Sequence, residues 1–120
     1  MRDKVFKGDV YIVKLPEQTD CSVETGVRPV VVVSSNIGCR TADIVTVCPI
    51  TTRLKRLSCN VDISWTLDNR PSQVLCNQIM TIPKNLLQYY KGYIPNHEMR
   101  QIERAIMLSL GIRGGEKVER

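Results

Sequence analysis

The sequence predicts an α+β fold that is mainly β: a strongly bent sheet or small barrel with helices near the C-terminus packed on it. Short β-branched runs separated by turn residues fill the first three-fifths of the chain. The apolar period then changes to three- and four-residue steps. With 120 residues, 42% of them hydrophobic, the chain suits one domain with its own core. We assign residues 1–112 to that domain and 113–120 to a charged, flexible tail.

Five β-strands are predicted because each run of β-branched or aromatic residues is bounded by Pro, Gly, Ser or Asn. The second contains four consecutive valines. Such a run cannot alternate between two faces, so we expect this strand to be buried on both. A polar loop of about twelve residues, 16–27, precedes it and is longer than most connections. The strands are Val10–Leu15, Val30–Val33, Ile44–Cys48 (ended by Pro49), Val61–Ile63 and a run from Gln73 to Thr81.

A short helix is predicted after the last strand. Pro83 suits the first turn of a helix from Lys84 to about Tyr90, and Gly92 would end it. The tyrosines at 89, 90 and 93 could stack on nucleic-acid bases. Packing of the short helix against the barrel is the interpretation that we favour for them.

A second, longer helix is predicted from Asn96 to about Leu110. Its apolar residues recur at three- and four-residue steps and form one stripe. Gly111 would end it. We expect the stripe to belong to the core or to a dimer face.

Charge and composition restrict the partners and the location. A net charge of +5 favours polyanions such as nucleic acid, or an acidic protein. We find neither an apolar stretch of membrane-spanning length nor a signal peptide, so we expect a cytoplasmic protein without membrane contact. The five cysteines are odd in number and contain no Cys-x-x-Cys pair, so we expect reduced, mostly buried thiols.

Several catalytic chemistries are excluded by the residue types present. His97 is the only histidine, which rules out a two-histidine ribonuclease and disfavours a Ser-His-Asp triad. The cysteine spacing shows no zinc-ligand set, and a Gly-x-x-x-x-Gly-Lys phosphate loop is absent. If the chain is an enzyme, we expect it to work without a metal or a cofactor.

Two strand ends carry side chains that suit a phosphodiester. Arg28 stands directly before the valine strand, where a guanidinium could bind phosphate oxygens. The alternative is that Arg28 pairs with a surface carboxylate. Thr51 and Thr52 follow Pro49-Ile50 and lead into the basic stretch Arg53–Arg56, which could also be a solvated loop.

The residues at these two strand ends are also part of a longer resemblance. In chain order, six segments resemble signatures of the MazF/PemK family, and they span roughly residues 6 to 112. They are Lys7–Tyr11, Gly26–Val32, Pro49–Thr52, Val61–Ile63, Gln78–Ile82 and Leu108–Gly111.

This resemblance implies an SH3-like barrel with terminal helices, acting as a homodimer. It implies the toxin of a type II toxin–antitoxin system, a sequence-specific endoribonuclease that cleaves single-stranded mRNA, inhibits translation and growth, and is blocked by a cognate antitoxin. The family's catalytic arginine falls on Arg28 and its catalytic threonine on Thr51. We assign RNA contacts to residues near these strand ends, namely Ser22, Glu24, Thr25, Ser34, Thr52, Arg53 and Gln78.

The chain departs from the family pattern at three places. Val23–Gly26 stands where relatives carry Glu-Gln-Gly-Gly, so the recognised RNA sequence does not carry over. Met80 replaces an arginine, and Pro83 replaces an aspartate.

The mechanism that we expect is attack of the ribose 2′-hydroxyl on its own phosphate, which leaves a 2′,3′-cyclic phosphate and a 5′-hydroxyl. The group that takes the 2′ proton is left open. The resemblance favours Arg28, whereas elementary chemistry makes arginine a clamp for the phosphate and a poor base.

Two alternatives share the fold. One is a toxin that poisons gyrase by binding it, although the aromatic, apolar C-terminal end of such toxins has no counterpart in Lys117–Arg120. The other is a catalytically silent barrel that binds RNA or protein.

Overall fold

The computed structural model describes residues 4–17 and 21–112, and within them it forms one curled antiparallel sheet with a long helix after it. The predicted tail, 113–120, lies outside the described residues, and the assignment of one domain to residues 1–112 stays a prediction. The strands are β1 (Asp9–Leu15), β2 (Gly26–Val32), β3 (Ile44–Thr51), β4 (Asn60–Leu67), β5 (Arg70–Leu75), β6 (Met80–Pro83) and β7 (Tyr89–Tyr93). The helices are α1 (Asn36–Thr41) and α2 (Asn96–Ser109).

The sheet curls for two reasons. Strand β3 pairs along one side with β6 and then with β5, and the edge strands β4 and β7 approach each other. The strand order is β4-β5-β3-β2-β1-β7, and β6 pairs with the first half of β3. Past Val47, β3 leaves β6 and pairs with β5. The edges β4 and β7 approach each other where Trp65 Nε1 donates to the Lys91 carbonyl at 2.8 Å. The prediction of a mainly β, strongly bent sheet with a C-terminal helix is confirmed.

The valine strand separates two apolar clusters. Val30 and Val32 pack in one cluster with the interior residues of β1, and Val31 packs in the other against α2. All three valines are fully buried. Burial on both faces is therefore confirmed for Val30–Val32, whereas Val33 follows β2 and is half-buried, and Val27 near the start of β2 is exposed. The core rests mainly on Val, Ile and Leu.

The short helix predicted from 84 to about 90 is wrong. Only a single 3₁₀ turn, Lys84–Leu86, follows Pro83, and the chain then forms the edge strand β7. Tyr89 pairs with Ile12 of β1, and the side chains of Tyr89 and Tyr93 are exposed instead of packed. The tertiary pairing with β1 overrides the local helix signal.

Several other boundaries differ from the prediction. β2 begins at Gly26 instead of Val30, so Arg28 lies inside this strand and not before it, and β4 extends from Asn60 to Leu67. β3 continues through Pro49 to Thr51, since Pro49 lies where β3 changes partner and its missing N–H breaks no ladder bond there. The run from Gln73 to Thr81 is two strands separated by a 3₁₀ turn, Cys76–Gln78. Helix α1 was not predicted, although the Ser35 side chain caps it by accepting from the Gly38 N–H at 3.1 Å.

No helix in the described residues is long and apolar enough to cross a membrane.

Candidate active site

The candidate site lies where β2 and β3 separate. Val33 N donates to Thr46 O, and in an antiparallel pair every second residue of a strand is hydrogen-bonded to its neighbour. On β2 these residues are therefore Val33, Val31 and then position 29. Position 29 is a proline, which has no N–H to donate, so the hydrogen-bonded pairing cannot continue there. The recorded pairing ends at Val30 opposite Pro49. Arg28 and Thr51 lie two residues beyond this last pair, on β2 and β3 respectively.

The Thr51 side chain is held inside the site. Thr51 is 4% exposed, and its Oγ1 accepts from the Arg53 N–H at 3.1 Å. On the other side, Thr51 pairs with Gln73 of β5. Because the oxygen is used as an acceptor, the hydroxyl hydrogen remains for donation to a ligand oxygen.

The Arg28 side chain is fixed through one nitrogen. Its Nε donates to the Thr25 carbonyl at 2.9 Å and lies 3.3 Å from Glu24 Oε2. The pairing with a carboxylate considered from the sequence therefore exists. The hydrogen bonds and ion pairs of Arg28 within the described residues use Nε, which leaves the two terminal nitrogens for a phosphate.

Gln78 clamps the loop that carries Glu24. Its Oε1 accepts from the Glu24 N–H at 2.8 Å, and its Nε2 donates to the Ser22 carbonyl at 3.1 Å. Gln78 is the last residue of the 3₁₀ turn between β5 and β6 and is more than fifty residues from Glu24 in sequence. It thereby sets the position of Glu24 beside Arg28.

These elements enclose a cleft of about 450 Å³, which we call the Thr51 cleft. Five of the residues predicted from the sequence line it, namely Ser22, Glu24, Thr51, Arg53 and Gln78. The remaining lining residues are Lys55, Leu57, Asn60, Leu75 and Asn77. The cleft therefore combines cations, amides and one carboxylate, a composition that suits a polar anionic ligand.

The other predicted site residues are placed differently. Arg28 adjoins the cleft through Glu24, and Thr25 contributes its carbonyl to Arg28. Thr52 is half-buried beside Thr51 and does not line the cleft. Ser34 lies elsewhere: its Oγ accepts from the Thr46 N–H at 2.6 Å, and it lines a separate apolar cavity beside α2.

Sequence reasoning missed Gln73 and Asn60. Gln73 is buried, and its Oε1 accepts from the Lys55 N–H at 2.9 Å and from Asn60 Nδ2 at 3.3 Å. It thereby ties the basic loop to β5. The sequence does not indicate this role, because Gln73 comes next to Thr51 only through the pairing of β3 with β5. The charge run that contains Lys55 was visible in the sequence, but its position in the cleft was not.

Neither the histidine nor the nearest buried thiols supply a base to the cleft. The His97 side chain is 70% exposed at the start of α2. Burial, with a smaller contribution from the Cys59 thiolate, raises the pKa of Cys76 to about 12. Burial also raises the pKa of Cys48 far above its usual range. These thiols stay protonated near neutral pH.

All five cysteines are free thiols in the structure, and their reduced state in the cell stays a prediction. Cys39, Cys48 and Cys76 are buried, so the expectation of mostly buried thiols is confirmed. Within residues 4–17 and 21–112, no group of three or more His, Cys, Asp or Glu side chains could hold a metal ion.

A family model described as PemK-like, MazF-like toxin of type II toxin-antitoxin system matches residues 6–110. The chain is 32% identical over 111 residues to endoribonuclease MazF of Staphylococcus saprophyticus, covering 88% of this chain and 91% of that protein. Mycobacterium tuberculosis toxin MazF-mt6 superposes with a TM-score of 0.73 at 27% identity, covering 88% and 98% of the two chains. A mycobacterial endoribonuclease in complex with its cognate antitoxin superposes with a TM-score of 0.74 at 24% identity, covering 91% and 97%.

Proposed function

The chain belongs to the PemK-like, MazF-like family of toxins of type II toxin–antitoxin systems, and on that premise we propose that it is an endoribonuclease that cleaves single-stranded mRNA. The resemblance noted in the sequence is thereby confirmed as family membership. The observation that carries the activity is the Thr51 cleft, which Thr51 lines with a hydrogen-bonded hydroxyl and Arg53 with a guanidinium, and whose lining residue Glu24 pairs with Arg28.

The substrate that fits this cleft is a single strand of RNA. Arg53 and Lys55 line it and would attract the phosphate backbone. Ser22, Gln78, Asn60 and Asn77 line the same cleft and would contact nucleotides next to the cut. Thr25 and Thr52 flank the reacting groups. Ser34 lies in another cavity, so its contact would be to RNA beyond the cleft.

The reaction is attack of a ribose 2′-hydroxyl on the adjacent phosphorus. Because nucleophile and phosphate belong to one strand, the protein has to enforce in-line geometry and stabilise the charge of the pentacoordinate intermediate. The terminal nitrogens of Arg28 would bind the non-bridging oxygens, and the Thr51 hydroxyl would donate to one of them. Products are a 2′,3′-cyclic phosphate and a 5′-hydroxyl, formed without metal or cofactor.

The direct test is incubation of the purified protein with a long RNA in the presence of EDTA, followed by mapping of the cut ends. We expect discrete cuts that carry cyclic phosphate. Arg28→Ala and Thr51→Ala should each abolish cleavage while the circular-dichroism spectrum is preserved. RNA that stays intact would contradict the proposed endoribonuclease activity. Binding of uncut RNA would then support the catalytically silent barrel, and binding of gyrase would support the gyrase-binding toxin.

We further propose that a cognate antitoxin controls the protein in the cytoplasm. The similar mycobacterial endoribonuclease was solved with its antitoxin. A disordered acidic segment with apolar anchors would complement a chain of net charge +5 and fold on binding. Co-expression of the gene neighbour that encodes such a segment should restore growth. Growth arrest that persists with every neighbouring gene would contradict this partner.

A further inference from the structure

Two cysteines, Cys59 and Cys76, face each other where β4 begins and β5 ends. In this antiparallel pair Asn60 lies opposite Leu75, and just beyond them the Cys76 N–H donates to the Cys59 carbonyl at 3.1 Å. Burial raises the pKa of Cys76, and the charge of the Cys59 thiolate raises it further, which places the two thiols near each other. The end of the β4–β5 ladder therefore carries a pair of neighbouring thiols that the proposed reaction does not use.

The spacing of such a pair suits a disulfide. Cα atoms in a hydrogen-bonded antiparallel pair lie about 5.5 Å apart, and a disulfide joins Cα atoms that are about 4.4–6.8 Å apart. Opposite side chains share a face with Cβ atoms about 4.5–5.5 Å apart, and a disulfide draws them to about 3.8 Å. An approach of about 1 Å would therefore join the two residues. Cys59 precedes β4 and Cys76 follows β5, so neither lies inside a strand that would resist this movement.

The two thiols differ in their access to solvent. Cys59 is half-buried, whereas Cys76 is fully buried, so a small oxidant reaches Cys59 first. We propose that a peroxide oxidises Cys59, and that Cys76 then joins it in a disulfide that slows the cleavage of RNA in the Thr51 cleft. The effect on cleavage rests on the proposed endoribonuclease function, whereas formation of the disulfide does not.

The other three cysteines are placed differently. Burial and, to a smaller extent, the charge of Cys76 raise the pKa of Cys48, which places Cys48 near Cys76 as well. Cys48 is fully buried on β3, however, so an oxidant does not reach it before Cys59. Cys39 packs in the other apolar cluster, and Cys21 is exposed in the loop before β2. Cys59 is therefore the partner that we expect for Cys76.

Atoms and electrons balance with hydrogen peroxide as the oxidant. The Cys59 sulfur attacks one peroxide oxygen, the O–O bond breaks, and the thiol proton leaves with the other oxygen as water, which makes Cys59 a sulfenic acid. The Cys76 sulfur then attacks the Cys59 sulfur, the S–OH bond breaks, and hydroxide leaves with the Cys76 proton as a second water. The two thiols lose two electrons, which the peroxide gains. Because the second step is intramolecular, the proximity of the thiols compensates for the raised pKa of Cys76.

The disulfide would act on the cleft through residues next to each cysteine. Cys59 Sγ donates to Asn60 Oδ1 at 3.8 Å, and Asn60 lines the cleft. The 3₁₀ turn that begins at Cys76 ends at Gln78, whose side chain holds the loop before β2 through two hydrogen bonds. Drawing the cysteines together would break the contact with Asn60 and shift this turn. A displacement of about 1 Å in a positioning group can slow an enzyme by about 10²-fold.

The first measurement needs no RNA. The purified protein is treated with hydrogen peroxide, unfolded so that the remaining thiols can be alkylated, and mapped by mass spectrometry of its peptides. We expect a disulfide between Cys59 and Cys76, with Cys39 and Cys48 alkylated. The matched control Cys21→Ser removes the exposed thiol and should form the same disulfide, whereas Cys59→Ser should form none within the chain. A different pairing, or no internal disulfide in the control, would overturn the proposal.

The second measurement is the rate of RNA cleavage by Cys21→Ser before and after oxidation. We expect the disulfide form to cleave about 10²-fold more slowly, and a dithiol reductant to restore the rate. Cys59→Ser keeps a hydroxyl that can donate to Asn60 and should keep its rate after peroxide. Full activity of the mapped disulfide form, or an equal loss in Cys59→Ser, would overturn the control of cleavage. Reduced protein that leaves RNA intact would overturn the proposed function, and with it the effect on cleavage, while the mapped disulfide would stand.

Discussion

At the residue scale, Thr51 combines burial with an unused donor. Its oxygen accepts from the Arg53 N–H, so its hydrogen is available to an acceptor in the cleft that Thr51 lines. A donor held in this way needs no reorganisation when charge develops on the phosphate, and that is why preorganised donors are effective in catalysis. An exposed, rotating hydroxyl would lack this advantage.

Replacing Thr51 by Val keeps its shape and removes the hydroxyl. We expect cleavage to slow by about 10²- to 10³-fold, the usual effect of losing one preorganised donor. Thr51→Ser retains the hydroxyl and should keep most of the activity. Single-turnover rates with one RNA measure both variants. Equal losses in Thr51→Val and Thr51→Ser would mean that the methyl group matters and the hydroxyl does not.

The sequence could predict Arg28 and Thr51 but not the contacts that hold them. Arg28 directly precedes Pro29, and Thr51 follows Pro49 by two residues, a pattern visible without a structure. The contacts of Gln78 with Glu24 and of Gln73 with Lys55 join residues far apart in sequence. Their existence depends on strand register, which neither composition nor periodicity specifies.

At the element scale, β7 shows where local signals lose to tertiary pairing. Pro83 and Gly92 bracket a stretch that could form a helix, but the hydrogen-bonding edge of β1 needs a partner strand. Gly92 has φ of +113°, and a Cβ built on it would lie 3.3 Å from Trp65 Nε1. Gly92 therefore does not end a helix. It allows β7 to approach Trp65 of β4, where the two edges of the sheet meet.

Substitution of Gly92 by Ala should destabilise the protein by about 1–3 kcal/mol, because alanine is strained at this φ and would crowd Trp65. The measurement is the free energy of unfolding in urea. Gly38→Ala is the matched control: Gly38 lies in α1 without a left-handed φ, and its Cβ would lie 3.4 Å from Ser35 Oγ. We expect the control to be near neutral. Equal stability of both variants would show that the close approach of Gly92 to Trp65 does not contribute to stability.

At the scale of the whole molecule, buried thiols link stability to pH. Burial raises the pKa of Cys76 to about 12, and burial also raises the pKa of Cys48. An unfolded thiol loses its proton near pH 9. Above that pH the folded state binds more protons than the unfolded state, so stability falls as pH rises toward the folded pKa.

We therefore expect the free energy of unfolding to fall between pH 9 and 11, by about 1.4 kcal/mol per pH unit for each buried thiol. Urea titrations at fixed ionic strength measure it. Cys76→Ala should be less stable at pH 8 but have a shallower alkaline decline. Cys21→Ala, at an exposed position, should leave the decline unchanged. A decline of equal slope in both variants would contradict the role of burial.

The end of α2 exposes apolar side chains that a monomer leaves in water. Met107, Leu108 and Leu110 are each 44–56% exposed. Exposed apolar patches of this kind mark association surfaces, and the family resemblance implies a homodimer. Light scattering after gel filtration should give twice the 13.6 kDa mass of the chain. A mass of one chain at micromolar concentration would contradict the dimer.

The central claim is that RNA is cut in the Thr51 cleft by attack of its own 2′-hydroxyl. The most direct measurement uses two oligonucleotides that span one mapped cut site and differ only by a single 2′-deoxy nucleotide on the 5′ side of the cut. With the wild-type protein in EDTA, we expect the all-ribose strand to be cut to a cyclic phosphate and the deoxy strand to stay intact at that position. Cutting of both strands at the same bond would contradict the account.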